Sequence, residues 1–435
     1  MNDTLMVVNP ISGGPSERVG ILAGDRIVAI DGKSITNIGL KIPDVHKYLR
    51  GAKGTKVTVQ IARRGVENPL EFTITRDKIP IYSIDATYMA QPGVGYIKVN
   101  RFAATTDQEF AEAMEKLSKQ KMKDVIIDLR NNGGGLLNTA YEMANHFFEA
   151  GKLIVFTEGR NSPRTNFFSD TKGPLFKGRV IVLIDEGSAS ASEILAGALQ
   201  DWDRGIIVGR RSFGKGLVQN QLPLPDGSMI RLTVARYFTP TGRAIQRPYN
   251  NGNIEKYYSD LNDRFTKGEL FNLDSIHMPD SLKYKTLVKG KTVYGGGGIM
   301  PDVFVPLDTS FYSDYYGKLV RSGIINQFTV SWVDSNRKQL LSDYPKFDKF
   351  KKNFQVTDAM LEEIVKMAEK QKIVRDDAGL NHSSNELKKQ IKGLIAQSLF
   401  TTSHYFEITN EGNDALLKAL EILNNWDKYK HLVKE

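Results

Sequence analysis

The sequence predicts a multidomain chain of the α/β (α+β) class, and three observations carry that expectation. The chain has 435 residues, roughly three times the usual domain of about 150. Its middle, from about residue 85 to 209, alternates apolar strand-like runs with helical spacing, the pattern of a sheet covered by helices. On either side the pattern changes, with short strands and turn residues before it and helical periodicity from about Thr309 onward. The expected divisions are 1–80, 81–308 and 309–435.

In the first division, residues 27–30 and 57–61 carry β-branched strand patterns, and Ile42–Leu49 has helical spacing with Val45, Tyr48 and Leu49 on one side. Turn chemistry at Gly13-Gly14-Pro15, Gly24-Asp25 and Asp31-Gly32 separates them. In the second, the apolar run 125–129 ends in Asn131-Asn132-Gly133-Gly134-Gly135, and helical spacing follows over 136–148. The unit recurs at 180–184, which ends in Asp185-Glu186-Gly187 and passes through Ser188-Ala189-Ser190-Ala191-Ser192-Glu193 into a helix reaching Gln200. A third strand at 206–208 precedes a glycine-flanked stretch, 209–216. Residues 219–224 and 229–238 flank Pro225-Asp226-Gly227, a hairpin signal. Residues 239 to about 300 are rich in Gly, Asn, Tyr and Lys, and an extended, irregular segment is expected there. In the third division, Thr357 is expected to cap a helix carrying Met360, Leu361, Ile364, Val365 and Ala368, and Ser384 one carrying Leu387, Ile391, Leu394 and Ile395.

Composition removes several functions. With no cysteine, the chain has no thiol nucleophile, disulfide or Cys-ligated zinc. Its six histidines never stand at the His-x-x-x-His spacing of a helical metal site. The net charge of +9 comes from scattered basic residues, which argues against nucleic acid as a partner. No stretch approaches the roughly 20 apolar residues of a membrane-spanning helix. The N-terminus lacks the basic start and apolar core of an export signal, so such a signal is expected upstream or already removed.

Chemistry concentrates around three segments. Ser190 stands where a strand gives way to a helix, so the first helical amides, beginning with Ala191, present unpaired N–H groups and a positive dipole end beside it. The plainer reading of Ser190-x-x-Glu193 is a capping box. Gly133-Gly134-Gly135 offers backbone donors without side-chain obstruction, or simply a tight bend. Lys215 sits in Gly209-Arg210-Arg211-Ser212-Phe213-Gly214-Lys215-Gly216, which nearly matches a phosphate-binding loop. The required Ser or Thr after the lysine is replaced by Gly216, and the following prolines contradict the helix. No Gly-x-Ser-x-Gly elbow is present and no histidine lies near Ser190 in the sequence. A serine without histidine needs another base, and a lysine serves when its amine is neutral, a state that burial favours. Gln219, four residues on, can orient such an amine without stabilising its charge.

Taken together, residues 187–194 with Phe213-Gly214-Lys215-Gly216-x-Val218-Gln219 resemble the C-terminal processing (tail-specific) serine protease family. The 25-residue spacing from Ser190 to Lys215 agrees with that family's Ser-Lys dyad, and Gln219 falls on its lysine-orienting glutamine. Residues 128–136 look like the segment whose glycine amide, Gly135 in preference to Gly134, joins the amide of Ala191 in an oxyanion hole. The likeness extends to 237–243 and 295–301, and covers about residues 3–305. Residues 13–21, 24–27 and 49–51 look like a PDZ domain, in which Leu5 to Val8 would be the second strand, so that the first strand and carboxylate loop are missing.

The resemblance implies a crotonase/ClpP-like ββα protease core, a β-rich, N-terminally truncated PDZ module and a helical C-terminal domain. It further implies a serine endopeptidase without metal or cofactor, acting in the periplasm or cell envelope. Its substrates would be proteins or peptides with unstructured C-terminal tails, cut near their C-termini. Two other readings stay open on the residues: a catalytically inactive PDZ-bearing scaffold, and a crotonase-like acyl-CoA enzyme in which Ser190 and Lys215 have no task.

Overall fold

The computed structural model describes residues 4–11, 13–170, 175–249 and 254–434. These form two compact units, one built from residues 1–81 and 310–409, the other from 82–309 and 410–435.

The first unit contains an antiparallel sheet in the order Leu5–Met6, Arg26–Ile30, Lys56–Ala62, Leu70–Thr75, with Lys33–Ser34 added to Arg26–Ile30. Alternation along Lys56–Ala62 sends Val57, Val59 and Ile61 into a core with Ile21, Ile27, Ile30, Ile35 and Ile74. The expected helix Ile42–Leu49 is present and packs Tyr48 and Leu49 against that core. Later helices, including Ile324–Asp343, Asp358–Lys370 and Asp377–Leu399, share a second core around Leu319, Phe328, Phe350, Ile364 and Ile391. Thr357 caps as expected, its hydroxyl accepting the Met360 N–H. Ser384 does not. The helix assigned to it starts at Asp377, where the Asp376 carboxylate accepts the Gly379 N–H at 2.9 Å, so Ser384 stands well inside a 23-residue helix. The polar run that suggested a start is tolerated because the Ser383 hydroxyl donates to the Phe311 carbonyl at 2.7 Å.

The second unit is built on a six-stranded sheet in the order Val303–Phe304, Ile206–Gly209, Val180–Ile184, Asp124–Asp128, Val94–Val99, Ile84–Gln91. All neighbours are parallel except the last pair. Asp124–Asp128 and Val180–Ile184 are buried along their whole length, as the continuous apolar runs require of central parallel strands. The helix Ala191–Asp201 is buried at every residue. An antiparallel sheet, Ser162–Phe168, Leu153–Gly159, Met229–Phe238, Leu217–Pro223, ends in the expected hairpin. The stretch from 239 to 300 is more regular than its composition suggested. It contains the helix Ile254–Thr266 and the pair Lys283–Lys285 with Thr292–Tyr294. The helix is written in the spacing of Ile254, Tyr258, Leu261 and Phe265, which the abundance of Gly and Asn around it obscures. Residues 410–435 join this unit, where the helix Asp414–Asn424, capped by Asn413 at 3.1 Å from the Leu416 amide, lies against the strands at 180–184 and 206–209.

A fully buried ion pair ties the end of the Ala191–Asp201 helix to the following loops. Arg243 Nη2 lies 2.7 Å from Asp201 Oδ1 and 2.7 Å from Gln200 Oε1, and Nη1 donates to the Tyr294 carbonyl at 2.9 Å. Asp201 Oδ2 accepts the Thr241 amide and hydroxyl. Replacing one partner leaves the other charge in a dry interior, so Arg243→Met is expected to cost about 3–5 kcal/mol. Thermal or urea unfolding of the variant measures it. An unchanged midpoint would show that Asp201 finds other compensation.

Candidate active site

Parallel pairing of Val180–Ile184 with Asp124–Asp128 brings the ends of the two strands together, and with them the serine and glycine segments. The two loops are laced by backbone and hydroxyl bonds. Ala189 N–H and Ser192 Oγ both donate to the Asn132 carbonyl at 2.9 Å, and Ser188 Oγ donates to the Leu129 carbonyl at 2.8 Å. A Cβ on Gly134 would lie 2.7 Å from Ser190 Cβ and 2.8 Å from the Ala191 amide, so only glycine fits this approach.

Ser190 stands on the sharp turn between strand and helix with φ 56° and ψ −113°, a conformation costing about 1–3 kcal/mol for a non-glycine residue. Only half of the expected capping box is made. The Glu193 carboxylate accepts the Ser190 N–H at 2.8 Å, while the Ser190 hydroxyl makes no capping bond. Of the nearby donors, the Gly134 amide is used by Asn132 Oδ1 at 2.9 Å. Among the described residues the Gly135 and Ala191 amides have no acceptor.

Glu193 is the hub of the site. Fully buried, it accepts Ser190 N–H and Lys215 N–H on Oε2 at 2.8 and 2.9 Å, and Gly214 N–H and Ser212 Oγ–H on Oε1 at 2.7 and 2.5 Å. Two amides on one oxygen cannot be further apart than the sum of their two bonds, so the backbones of Ser190 and Lys215 are neighbours. The Tyr237 hydroxyl lies against the carbonyls of the same two residues, Ser190, at 3.0 Å, and Lys215. Burial pushes the Glu193 carboxyl up from its ordinary value, and its four donors oppose that rise.

The side chains are less closely joined than the backbones. No hydrogen bond links the Ser190 hydroxyl to the Lys215 amine among the described residues. Gln219 is exposed, and its amide nitrogen lies 3.5 Å from Thr233 Oγ1 with no bond to Lys215. Lys215 and Gln219 line a cleft of about 1210 Å³ together with Phe213, Leu217 and Thr233.

Sequence reasoning gave Glu193 only a capping role and did not single out Asp128, Arg130 or Tyr237. Asp128, at the foot of the glycine loop, is fully buried and binds Arg130 Nη2 at 2.5 Å, Tyr96 Oη at 2.5 Å and Lys98 Nζ at 3.3 Å. Burial alone would raise this carboxyl, but the Arg130 and Lys98 cations hold it well below the usual carboxylate range. Arg130 also reaches Asn413 Oδ1 at 2.6 Å. The Asp128-x-Arg130 pattern directly before the glycines was the available signal.

This geometry coincides with a family match. Residues 93–255 match the model of peptidase family S41. The core is an S41 domain. Residues 6–63 match a PDZ domain model, and 315–401 a family of unknown function (DUF8443). Relatives of this S41 chain include a carboxy-terminal-processing protease of Bartonella bacilliformis, 40% identical over 250 residues, covering 56% of each chain. A probable CtpA-like serine protease of Staphylococcus aureus is 38% identical over 245 residues, covering 56% of this chain and 48% of the relative. The chain thus spans about half the length of these curated relatives. Among solved structures, a photosystem II D1 C-terminal processing protease is 30% identical, with 70% of this chain and 69% of that chain covered and a TM-score of 0.37. No helix among the described residues of the S41 chain is long and apolar enough to cross a membrane.

In Glu193→Gln, an NH₂ group replaces one acceptor oxygen and faces donors instead, so two of the four bonds are lost. Amide exchange is expected to quicken by about tenfold or more where the acceptor is lost, at Ser190 and Lys215 together or at Gly214. The pH dependence follows from the direction of the shift. A folded-state value above the ordinary 4.5 makes the folded chain hold this proton more tightly, so the contribution is largest at low pH and declines as pH rises from 4.5 through the raised value. The uncharged glutamine should flatten that part of the curve of stability against pH. Unaltered exchange at all three amides would mean that the clamp is dispensable.

Proposed function

We propose that the chain is a serine endopeptidase of the C-terminal processing type, which hydrolyses peptide bonds near the C-termini of proteins or peptides with unstructured tails. The observation that carries this reading is the sharing of one carboxylate oxygen by the amides of Ser190 and Lys215, which keeps a candidate nucleophile and a candidate base adjacent. In this mechanism Ser190 Oγ attacks the scissile carbonyl while Lys215 Nζ takes the hydroxyl proton. The oxygen of the tetrahedral intermediate accepts hydrogen bonds from the unused amides of Gly135 and Ala191. Lys215 then returns the proton to the leaving amine, and water repeats the sequence on the acyl-enzyme. Gln219 holds the lysine amine by its side-chain oxygen and takes no part in bond breaking.

Catalysis requires the Lys215 amine to come within roughly 2.6–3.2 Å of Ser190 Oγ. In the structure the two are not bonded, so the mechanism requires one of the two side chains to turn toward the other. The reading puts the reaction in the periplasm or cell envelope, a location that the resemblance implies. The same lack of a bond among Ser190, Lys215 and Gln219 is what favours the second reading, a PDZ-bearing peptide-binding scaffold with an inactive core.

Cleavage of casein or a labelled peptide decides between them. Ser190→Ala is expected to abolish cleavage with little loss of stability, because the hydroxyl makes no capping bond that the substitution would break. Lys215→Arg should be as inactive as Lys215→Ala, since a guanidinium keeps its proton at neutral pH. An active arginine variant would remove the base assignment, and a chain that cleaves nothing would leave the scaffold.

A further inference from the structure

The cleft that holds Lys215 and Gln219 has a marked charge imbalance. Arg160, Arg231, Arg236 and Arg247 line it with Lys215, against the single carboxylate of Glu158. Arg247 is occupied, paired with Asp260 at 2.7 Å and stacked 4.0 Å from the Phe213 ring centre. Arg160, Arg231 and Arg236 are not. None of the three donates a hydrogen bond or joins an ion pair among the described residues, although Glu158 is the cross-strand partner of Arg236. Other arginines of this unit are held differently: Arg130, Arg179, Arg210 and Arg211 each grip a carboxylate. Unpaired guanidinium groups thus stand on the wall of the very cavity that contains the lysine.

Their spacing matches an extended peptide. Arg231 and Thr233 point to the same side of the strand Met229–Phe238, and Thr233 is the partner of Gln219 across the hairpin. Arg231 therefore lies about 7 Å along the strand from the Gln219 level, two residues at about 3.4 Å each. Arg236 pairs with Leu217 and Arg231 with Gln221; the bulge between Val218 and Gln219 keeps both arginines on one face, four levels or about 14 Å apart, the reach of four residues of an extended substrate. Arg160 follows the neighbouring strand Leu153–Gly159, whose terminal glycine would place a Cβ 2.3 Å from the Val234 carbonyl, so it flanks the same wall. A strand-like segment laid along the hairpin from Lys215 past Gln219 would meet these guanidinium groups in succession on the side that leads away from the lysine.

We propose that Arg160, Arg231 and Arg236 select substrate segments bearing Asp or Glu within a few residues of the scissile bond. This rests on the peptidase reading and adds to it a chemical class of substrate. Exposed charges act through water, so each arginine contributes modestly and the effect depends on salt. Together they are expected to give about a tenfold preference at low ionic strength, declining as the Debye length shrinks to about 3 Å near 1 M salt.

The test uses the full chain and three labelled peptides, identical except that two positions flanking the cleavage site carry Glu, Gln or Lys. In kcat/KM the Glu peptide should exceed the Gln peptide by about tenfold, the Lys peptide should be poorest, and the spread should contract with added salt. In Arg231→Gln/Arg236→Gln the ratio of Glu to Gln peptide should fall toward unity, and Arg231→Lys/Arg236→Lys should restore most of it, which a merely structural role would not produce. Equal rates for the Glu and Gln peptides, a preference for Lys, or a Glu preference that survives the double Gln variant would overturn the proposal. Fluorescence anisotropy of the same peptides with Ser190→Ala reads the charge preference without turnover. If the unaltered chain cleaves none of them, the peptidase reading fails, while the order of binding still decides whether the arginines select acidic segments.

Discussion

The site depends on one buried carboxylate. Glu193 collects one amide from the serine turn, two from the lysine segment and a hydroxyl, and its contacts fix where the Ser190 turn ends and where the lysine segment begins. Desolvation opposes a carboxylate in such a place, and only a full set of donors makes it tenable. That interdependence explains why Ser212, Gly214 and Lys215 are held as a unit. Tyr237 adds to this, since its hydroxyl lies against the carbonyls of Ser190 and Lys215. The backbone is thereby held at both segments, while no hydrogen bond joins the Ser190 hydroxyl to the Lys215 amine among the described residues.

A second buried carboxylate, Asp128, stabilises the other wall. Its two cations come from the adjacent strand, Lys98, and from two residues ahead, Arg130, so the start of the glycine loop is tied to the sheet. The strained turn at Ser190 and the loop at Gly134 fit because both supports are rigid. Strain of this kind persists only where the surroundings over-determine the conformation.

Much of this was legible in the sequence. The strand runs 125–129 and 180–184 are continuous and apolar, so their burial followed directly, and the glycines after one and the serine after the other marked the loops. The capping signature Ser190-x-x-Glu193 marked the short-range bond from Ser190 N–H to Glu193 but gave no hint of the long-range partners, because Ser212 and Gly214 reach Glu193 only through the fold. Ser384 misled for the reverse reason, being a good cap residue in a place where Asp376 had already started the helix. Side-chain state was out of reach altogether. The resemblance implies that Lys215 and Gln219 lie near Ser190, yet nothing in it says whether their polar atoms touch.

The bond from Arg130 to Asn413 has a further consequence for how the chain is assembled. Each compact unit is stitched from two stretches distant in sequence, and the path between them is travelled three times. During synthesis from the N-terminus, the strand carrying Asp128 is complete long before its arginine can meet Asn413. Until residues beyond 409 emerge, the strands at 180–184 and 206–209 lack the cover of the helix Asp414–Asn424. The core that positions the serine therefore matures late on the ribosome, and a nascent chain carries the parts of its cleft well before it carries their final support.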